Sequence, residues 1–273
     1  TARYLDDKDL QGDAALSAVK IALPKNRRDT GLTGPEVVQI LIKALPLVQD
    51  SDLRKKGEKH ANDILYEIET SQPPADAEGF VPLFDGKTLA GWTGSVDGYT
   101  VEDGVLVCLP DKGGNLYTVR TYDDFILRFS FKLTPGANNG LGIRAPLGTN
   151  AAYEGMEIQI LDDDDPKYKD LQPYQYHGSI YGVVPAKRGH LKPDGEWNEE
   201  EVIARGGRIT VKLNGEVIVD ADVSEIPTTG TMDGKPHPGL HRREGHIGFL
   251  GHGSRVEFRD IRIKELHNEP PPG

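Results

Sequence analysis

Side chains suited to acid–base chemistry stand in Gly155-Met156-Glu157-Ile158-Gln159-Ile160-Leu161-Asp162. Met156, Ile158 and Ile160 alternate with polar residues, the pattern of a β-strand with one apolar face. Glu157 and Gln159 then project together from the opposite face. A carboxylate beside an amide is either a solvated strand face or the lining of a binding cleft. In a cleft, the carboxylate is a general base or a cation ligand, and the amide is a hydrogen-bonding partner for hydroxyl groups.

The chain that must position this pair has 273 residues and a formal net charge of -11. Such an acidic balance argues against binding a nucleic-acid backbone or an anionic lipid surface. No apolar run approaches the ~20 residues of a membrane-spanning helix, so no membrane insertion is expected. The single cysteine, Cys108, excludes an internal disulfide and a cysteine-cluster metal site. It lies in the apolar run Gly104-Val105-Leu106-Val107-Cys108-Leu109 and reads as a buried, inert thiol.

Two kinds of patterning divide the chain. Residues 1–72 read as helices: Leu, Ala and Ile recur at helical spacing from Asp9 to Leu23. A second helix opens at Thr33-Gly34-Pro35-Glu36 and breaks at Pro46, and a third runs from about Asp52 to Ile68. Asp9-Leu10, Ala18 and Ile21 return as Asp52-Leu53, Ala61 and Ile64, an offset that resembles HEAT-type helical repeats. A small helical extension without repeat ancestry accounts for the pattern equally well. Either way, the helices are a candidate surface for a protein partner. Residues 73–78 are linker-like in composition. Beyond them the period falls to two, as in Phe125, Leu127, Phe129, Phe131 and Leu133. Asn214-Gly215 marks a type I′ hairpin, and the phase slips at Arg259-Asp260 as at a β-bulge. About a dozen strands punctuated by turns predict an antiparallel β-sandwich over residues 79–267, with a tail at 268–273.

The strand region resembles the 3-keto-disaccharide hydrolase family at nine separated motifs. Among them are Pro82-Leu83-Phe84-Asp85-Gly86-Lys87-Thr88-Leu89, Asn138-Asn139-Gly140-Leu141-Gly142-Ile143-Arg144, Glu157-Ile158-Gln159-Ile160-Leu161-Asp162, Gly178-Ser179-Ile180-Tyr181-Gly182, Gly195-Glu196-Trp197-Asn198 and Gly248-Phe249-Leu250-Gly251-His252-Gly253. Each motif alone is weak, and their order over residues 79–266 is specific. The resemblance implies a mainly-β protein: a concanavalin A-like jelly-roll sandwich preceded by a small α-helical domain. It also implies a carbohydrate substrate and an extracytoplasmic location.

Sugar recognition on such a sandwich needs hydrogen-bonding groups and an aromatic platform. The substrate-binding candidates are Asn139, Arg144, Gln159, Tyr181, Trp197 and Asn198, and the catalytic candidates are Glu157, His252 and His177. Ile143 belongs to the core, which turns Arg144 to the opposite face with Glu157 as the expected partner; a structural ion pair is the competing reading. Trp197 is either the platform or a packing residue, and Asn198 either binds sugar or closes a turn. The Glu-x-Asp-x-Glu of retaining jelly-roll glycanases is here Glu157-x-Gln159-x-Leu161, which argues against double displacement. A 3-keto sugar offers another route. Its carbonyl acidifies the C2 hydrogen, a base removes it, and the C1 leaving group departs by elimination before water adds. That route needs one base, a stabiliser for the enolate oxygen and an acid for the leaving group. Glu157 is the base or a metal ligand, Arg144 or a metal meets the enolate oxygen, and His177 or His252 supplies acid–base function or ligation. A divalent metal ion is therefore a candidate cofactor, and no organic cofactor is expected. Asp162-Asp163-Asp164-Asp165 reads as a solvated acidic turn or a calcium loop, with Asp162 its structural member. A non-catalytic carbohydrate-binding module is the alternative function.

Overall fold

A computed structural model describes residues 4–5, 7–26, 29–70 and 74–266. The expected tail at 268–273 and the first linker residue, Pro73, lie outside them. The chain forms two compact units, one of Thr1–Gln72 with Ala90–Thr93 and one of Pro73–Leu89 with Gly94–Gly273. Among the described residues, no helix is long and apolar enough to cross a membrane.

In the first unit, α1 (Gln11–Ala22), α2 (Pro35–Ala44) and α3 (Ser51–Thr70) bury a small-residue core that includes Ala15, Ala18, Val19, Leu41 and Ala61. Pro35 occupies the first turn of α2, where its missing N–H costs nothing. The chain leaves α2 through a 3₁₀ turn at Leu45–Leu47, around the proline expected to break it. Of the repeated pairs, Ala18 and Ala61 are both buried, whereas Ile21 is exposed and its counterpart Ile64 is buried.

The second unit is an antiparallel sandwich. The strands of the chain are β1 (Val81–Pro82), β2 (Trp92–Gly94, whose first two residues group with the first unit), β3 (Tyr99–Glu102), β4 (Val105–Cys108), β5 (Gly114–Thr118), β6 (Phe125–Leu133), β7 (Asn138–Ala145), β8 (Met156–Leu161), β9 (Trp197–Arg205), β10 (Arg208–Leu213), β11 (Glu216–Asp222), β12 (His246–Gly251) and β13 (Val256–Glu265). One sheet runs β11-β10-β9-β6-β13-β4-β3, with β1 also on β13, and the other runs β2-β5-β12-β7-β8. A short helix, α4 (Ala151–Glu154), links β7 to β8.

Period-two patterning builds the core. Phe125, Leu127, Phe129, Phe131 and Leu133 turn inward from β6. Phe129 meets Phe249 of β12 edge-on at 5.6 Å, and Phe249 stacks on Phe258 of β13 at 3.9 Å, which ties the two sheets together. Each such ring stabilises the fold by about 1.5–3 kcal/mol through burial. Cys108 is buried here, and desolvation raises its thiol pKa. Asn214 (φ 51°) and Gly215 (φ 92°) form the β10–β11 hairpin turn. Asp260 (φ 54°) marks a bulge where the β13–β6 register shifts.

Candidate active site

Strand β8 is buried along its whole length because its outer face is covered too. Ile158 and Ile160 enter the core, while Glu157 and Gln159 point outward beneath the chain from Pro166 to Tyr181. That chain is laced to the strand: Tyr181 N–H donates to the Glu157 carbonyl at 2.9 Å and Gln159 N–H to that of Ser179 at 3.0 Å. Between strand and cover lies a pocket of about 250 Å³. Glu157, Gln159, Tyr181 and His252 line it together with Asn138, Asn150, Tyr153, Tyr168 and Gln175.

Glycine gives the carboxylate its place. Gly140 on β7 sits against Glu157, and a Cβ there would fall on Glu157 Oε1. His252 follows β12, and its Nε2 lies 3.9 Å from Glu157 Oε1. At that separation the two attract as charges, beyond hydrogen-bond length. The carboxylate holds the imidazole pKa above its ordinary 6.5, against the opposing effect of partial burial. Tyr117 also feels Glu157: burial, with the carboxylate adding to it, pushes the phenol up to about 12. Gln159 Oε1 and Asn138 Oδ1 are buried without a hydrogen-bond partner. A buried acceptor without a partner is a site where a donor would be stabilising.

Five expected site residues lie elsewhere. Arg144 does not meet Glu157. It adopts φ 52° where the β12–β7 register shifts, so the strand's alternation fails at that residue. Its guanidinium is buried, donating to the carbonyls of Asp123, Gly206 and Arg242 and to the Asp124 carboxylate. Burial lowers its pKa and Asp124 opposes the shift. His177 is inside the sandwich, with its ring 5.1 Å from that of Phe131 and its Nε2 3.2 Å from the buried Glu200 carboxylate. Its Nδ1 accepts from Leu161 N–H at 3.4 Å, which assigns the ring proton to Nε2. Asn139 shares the inward face of β7 with Leu141 and Ile143 and is fully buried. Asn198 is buried as well, its Oδ1 accepting from Lys192 N–H and from the Asn214 amide. Trp197 lies on the outer face of the larger sheet, beneath Arg259 at 4.0 Å and Lys132 at 5.0 Å. Asp162 is a backbone anchor: its carboxylate accepts from Gly136 N–H at 2.7 Å and Asp164 N–H at 3.2 Å.

A larger cavity, of about 890 Å³, opens on the outer face of the larger sheet beside Phe80 and Phe84. Its basic side chains are paired: Arg128 with Glu201 and Glu78, Lys212 with Glu201, and Arg262 with Asp76. The smaller pocket is the one that brings a carboxylate and an imidazole, Glu157 and His252, together with the Gln159 and Asn138 amides.

Strand parity would have found Asn138, which shares a face with Gly140 and Gly142. Tyr153 carries a weaker signal. Asn150 caps the short helix that presents it, accepting from Ala152 N–H at 3.1 Å. The loop around His237 packs against that helix: His237 Nδ1 donates to the Ala152 carbonyl at 2.9 Å.

Comparison with known proteins agrees with this architecture. Residues 79–264 match the family model described as a 3-keto-alpha-glucoside-1,2-lyase-like domain. A protein of Bacteroides thetaiotaomicron named 3-keto-disaccharide hydrolase is 26% identical, over 81% of this chain and 94% of its own. Two crystal structures from Parabacteroides distasonis, each named a "putative glycosyl hydrolase", are also similar. One is 30% identical with a TM-score of 0.62, covering 68% of this chain and 99% of that one. The other is 29% identical with a TM-score of 0.57, covering 70% and 95%. With more than half its length matched by the family model, the chain belongs to the 3-keto-alpha-glucoside-1,2-lyase-like domain family.

Proposed function

We propose that this protein cleaves the glycosidic bond of 3-keto-glycosides by elimination, followed by addition of water. The observation that carries the reading is the single carboxylate of the pocket, Glu157. Hydrolysis through paired carboxylates needs a second one at about 5–9.5 Å, on the other side of the scissile bond. Among the described residues, none lines this pocket. A single base suffices if the substrate itself stabilises the carbanion, as a C3 ketone does. Glu157 then takes the C2 proton, and the charge passes to the C3 oxygen beside the His252 imidazolium. The C1–O bond breaks as the C1–C2 double bond forms, and water adds to the resulting enone. Gln159 and Asn138 receive the sugar's hydroxyl donors, and Tyr181 presents its ring as a wall. The names of the Bacteroides and Parabacteroides relatives lie in the same direction.

A divalent ion is compatible with this donor set. Among the described residues, no group of three His, Cys, Asp or Glu side chains could hold one. Glu157 and His252 would be its strong ligands, with the amide oxygens of Gln159 and Asn138 and water completing the shell. When bound, the ion supplies positive charge to the enolate oxygen.

The test is hydrolysis of 4-nitrophenyl 3-keto-glucoside beside its unoxidised parent, with and without EDTA. Cleavage of the keto compound alone, lost in Glu157→Gln with the fold retained, is the expected result. Near-normal turnover in Glu157→Gln would sink the assignment of the base. Cleavage of neither compound leaves carbohydrate binding without chemistry as the function, and loss with EDTA identifies the ion as required.

A further inference from the structure

The elimination route needs an acid for the departing oxygen. With Arg144 and His177 outside the pocket, and His252 beside Glu157, that role has no occupant among the expected residues. The geometry points to Tyr153 as the catalytic acid that protonates the leaving group, with Lys235 as the residue that positions its hydroxyl. This rests on the 3-keto-glycoside reading above.

Three tyrosines line the pocket, and their hydroxyls are set differently. Tyr168 donates its proton to the Gly136 carbonyl at 3.1 Å, so the proton is committed. Tyr181 accepts from the neutral Gln175 amide at 3.2 Å. Tyr153 accepts from the Lys235 ammonium at 3.0 Å. Its own proton is not used in that bond, and the oxygen left behind after transfer stays paired with a cation at the exposed edge of the pocket.

The ring is held as an acid in fixed geometry must be. It packs on His237 at 4.8 Å, and His237 is pinned between the Ala152 carbonyl at 2.9 Å and Asp233 Oδ1 at 3.2 Å. Gly182 leaves the room this pair needs, because a Cβ there would crowd both His237 Nε2 and Asp233 Oδ2. The Tyr153 backbone is fixed at both ends. Its N–H donates to the Asn150 carbonyl at 3.1 Å, and its carbonyl accepts from Gly239 N–H at 2.8 Å.

The step balances within the pocket. Glu157 gains the C2 proton, the C1–O electron pair leaves with the departing oxygen, and the Tyr153 O–H proton transfers to that oxygen. Tyrosinate remains beside the Lys235 ammonium. Loss of the proton from Glu157 to solvent and its return to the tyrosinate restore the starting state, so no external oxidant or reductant enters.

Leaving-group dependence tests this directly, because an aryl oxide of low basicity needs no proton and an alkoxide does. The probes are 4-nitrophenyl and ethyl 3-keto-glucosides, with kcat/KM measured for the wild type, Tyr153→Phe, Lys235→Gln and Lys235→Arg. The expected result for Tyr153→Phe is a loss of about 100-fold or more on the ethyl compound and of less than about threefold on the nitrophenyl compound. Lys235→Gln loses less, with the same selectivity for the ethyl compound, and Lys235→Arg restores it. Equal losses on both substrates, with the melting temperature unchanged, would make Tyr153 a binding residue and overturn the proposal. No loss on either would assign the proton to another donor and overturn it as well. If the wild type cleaves neither compound, the 3-keto reading itself fails, which is a distinguishable outcome.

Discussion

Glu157 and His252 are each defined by the other. The carboxylate is nearly enclosed, whereas the His252 side chain is half exposed, at 50%. The pair is therefore screened on one side, and its worth lies in where it places charge more than in stability. Because Glu157 raises the His252 pKa, the ring's stabilising contribution is fully present below its unfolded value of 6.5 and is lost as pH rises through the higher folded value. If imidazolium meets the enolate oxygen, activity declines over that same alkaline span. The expected outcome in metal-free protein is a His252 ring titration midpoint above 6.5 by NMR, moving down in Glu157→Gln, where burial alone remains. A midpoint indifferent to that substitution would show that the two residues are uncoupled.

Elements decide which side chains reach the pocket, and two features of β7 explain both what could and what could not be read from the sequence. Period-two alternation assigned Glu157 and Gln159 correctly to one face of β8. Applied to β7, the same rule separates Asn138, Gly140 and Gly142 from Asn139, Leu141 and Ile143, so Asn139 was legible as an inward residue. Arg144 was not: a left-handed residue at a bulge leaves no mark in composition, and its carbonyl partners come from Asp123, Gly206 and Arg242, remote in sequence. His177 was illegible for the same reason, since its partner Glu200 lies on the facing sheet. Gly140 carries the strongest prediction at this scale. In Gly140→Ala the new methyl displaces the Glu157 carboxylate, and a shift of about 1 Å in a reacting group costs on the order of 100-fold in rate. Because a side-chain terminus can yield, the melting temperature should change little while kcat/KM falls. A large drop in melting temperature with kcat/KM preserved would mean that the backbone moved and the carboxylate did not.

At the scale of the whole molecule, chemistry and helices are separable. Every residue lining the pocket lies between Asn138 and His252, within the sandwich unit. The helical unit has a core of its own, in which Leu41 is fully buried. A Leu41→Ala substitution removes buried methyl groups and leaves a cavity, a change that costs about 2–5 kcal/mol at such sites. The cost falls on the helical unit, because that core is built from α1–α3 and the turns between them. Calorimetry of the 273-residue chain should then show one transition moving to lower temperature and a second, that of the sandwich, remaining in place. Below the first transition, kcat/KM on the 3-keto-glucoside should match the wild type. A single transition that moves as a whole, with activity lost alongside it, would show that the two units unfold together and that the helices help to hold the pocket in its working shape.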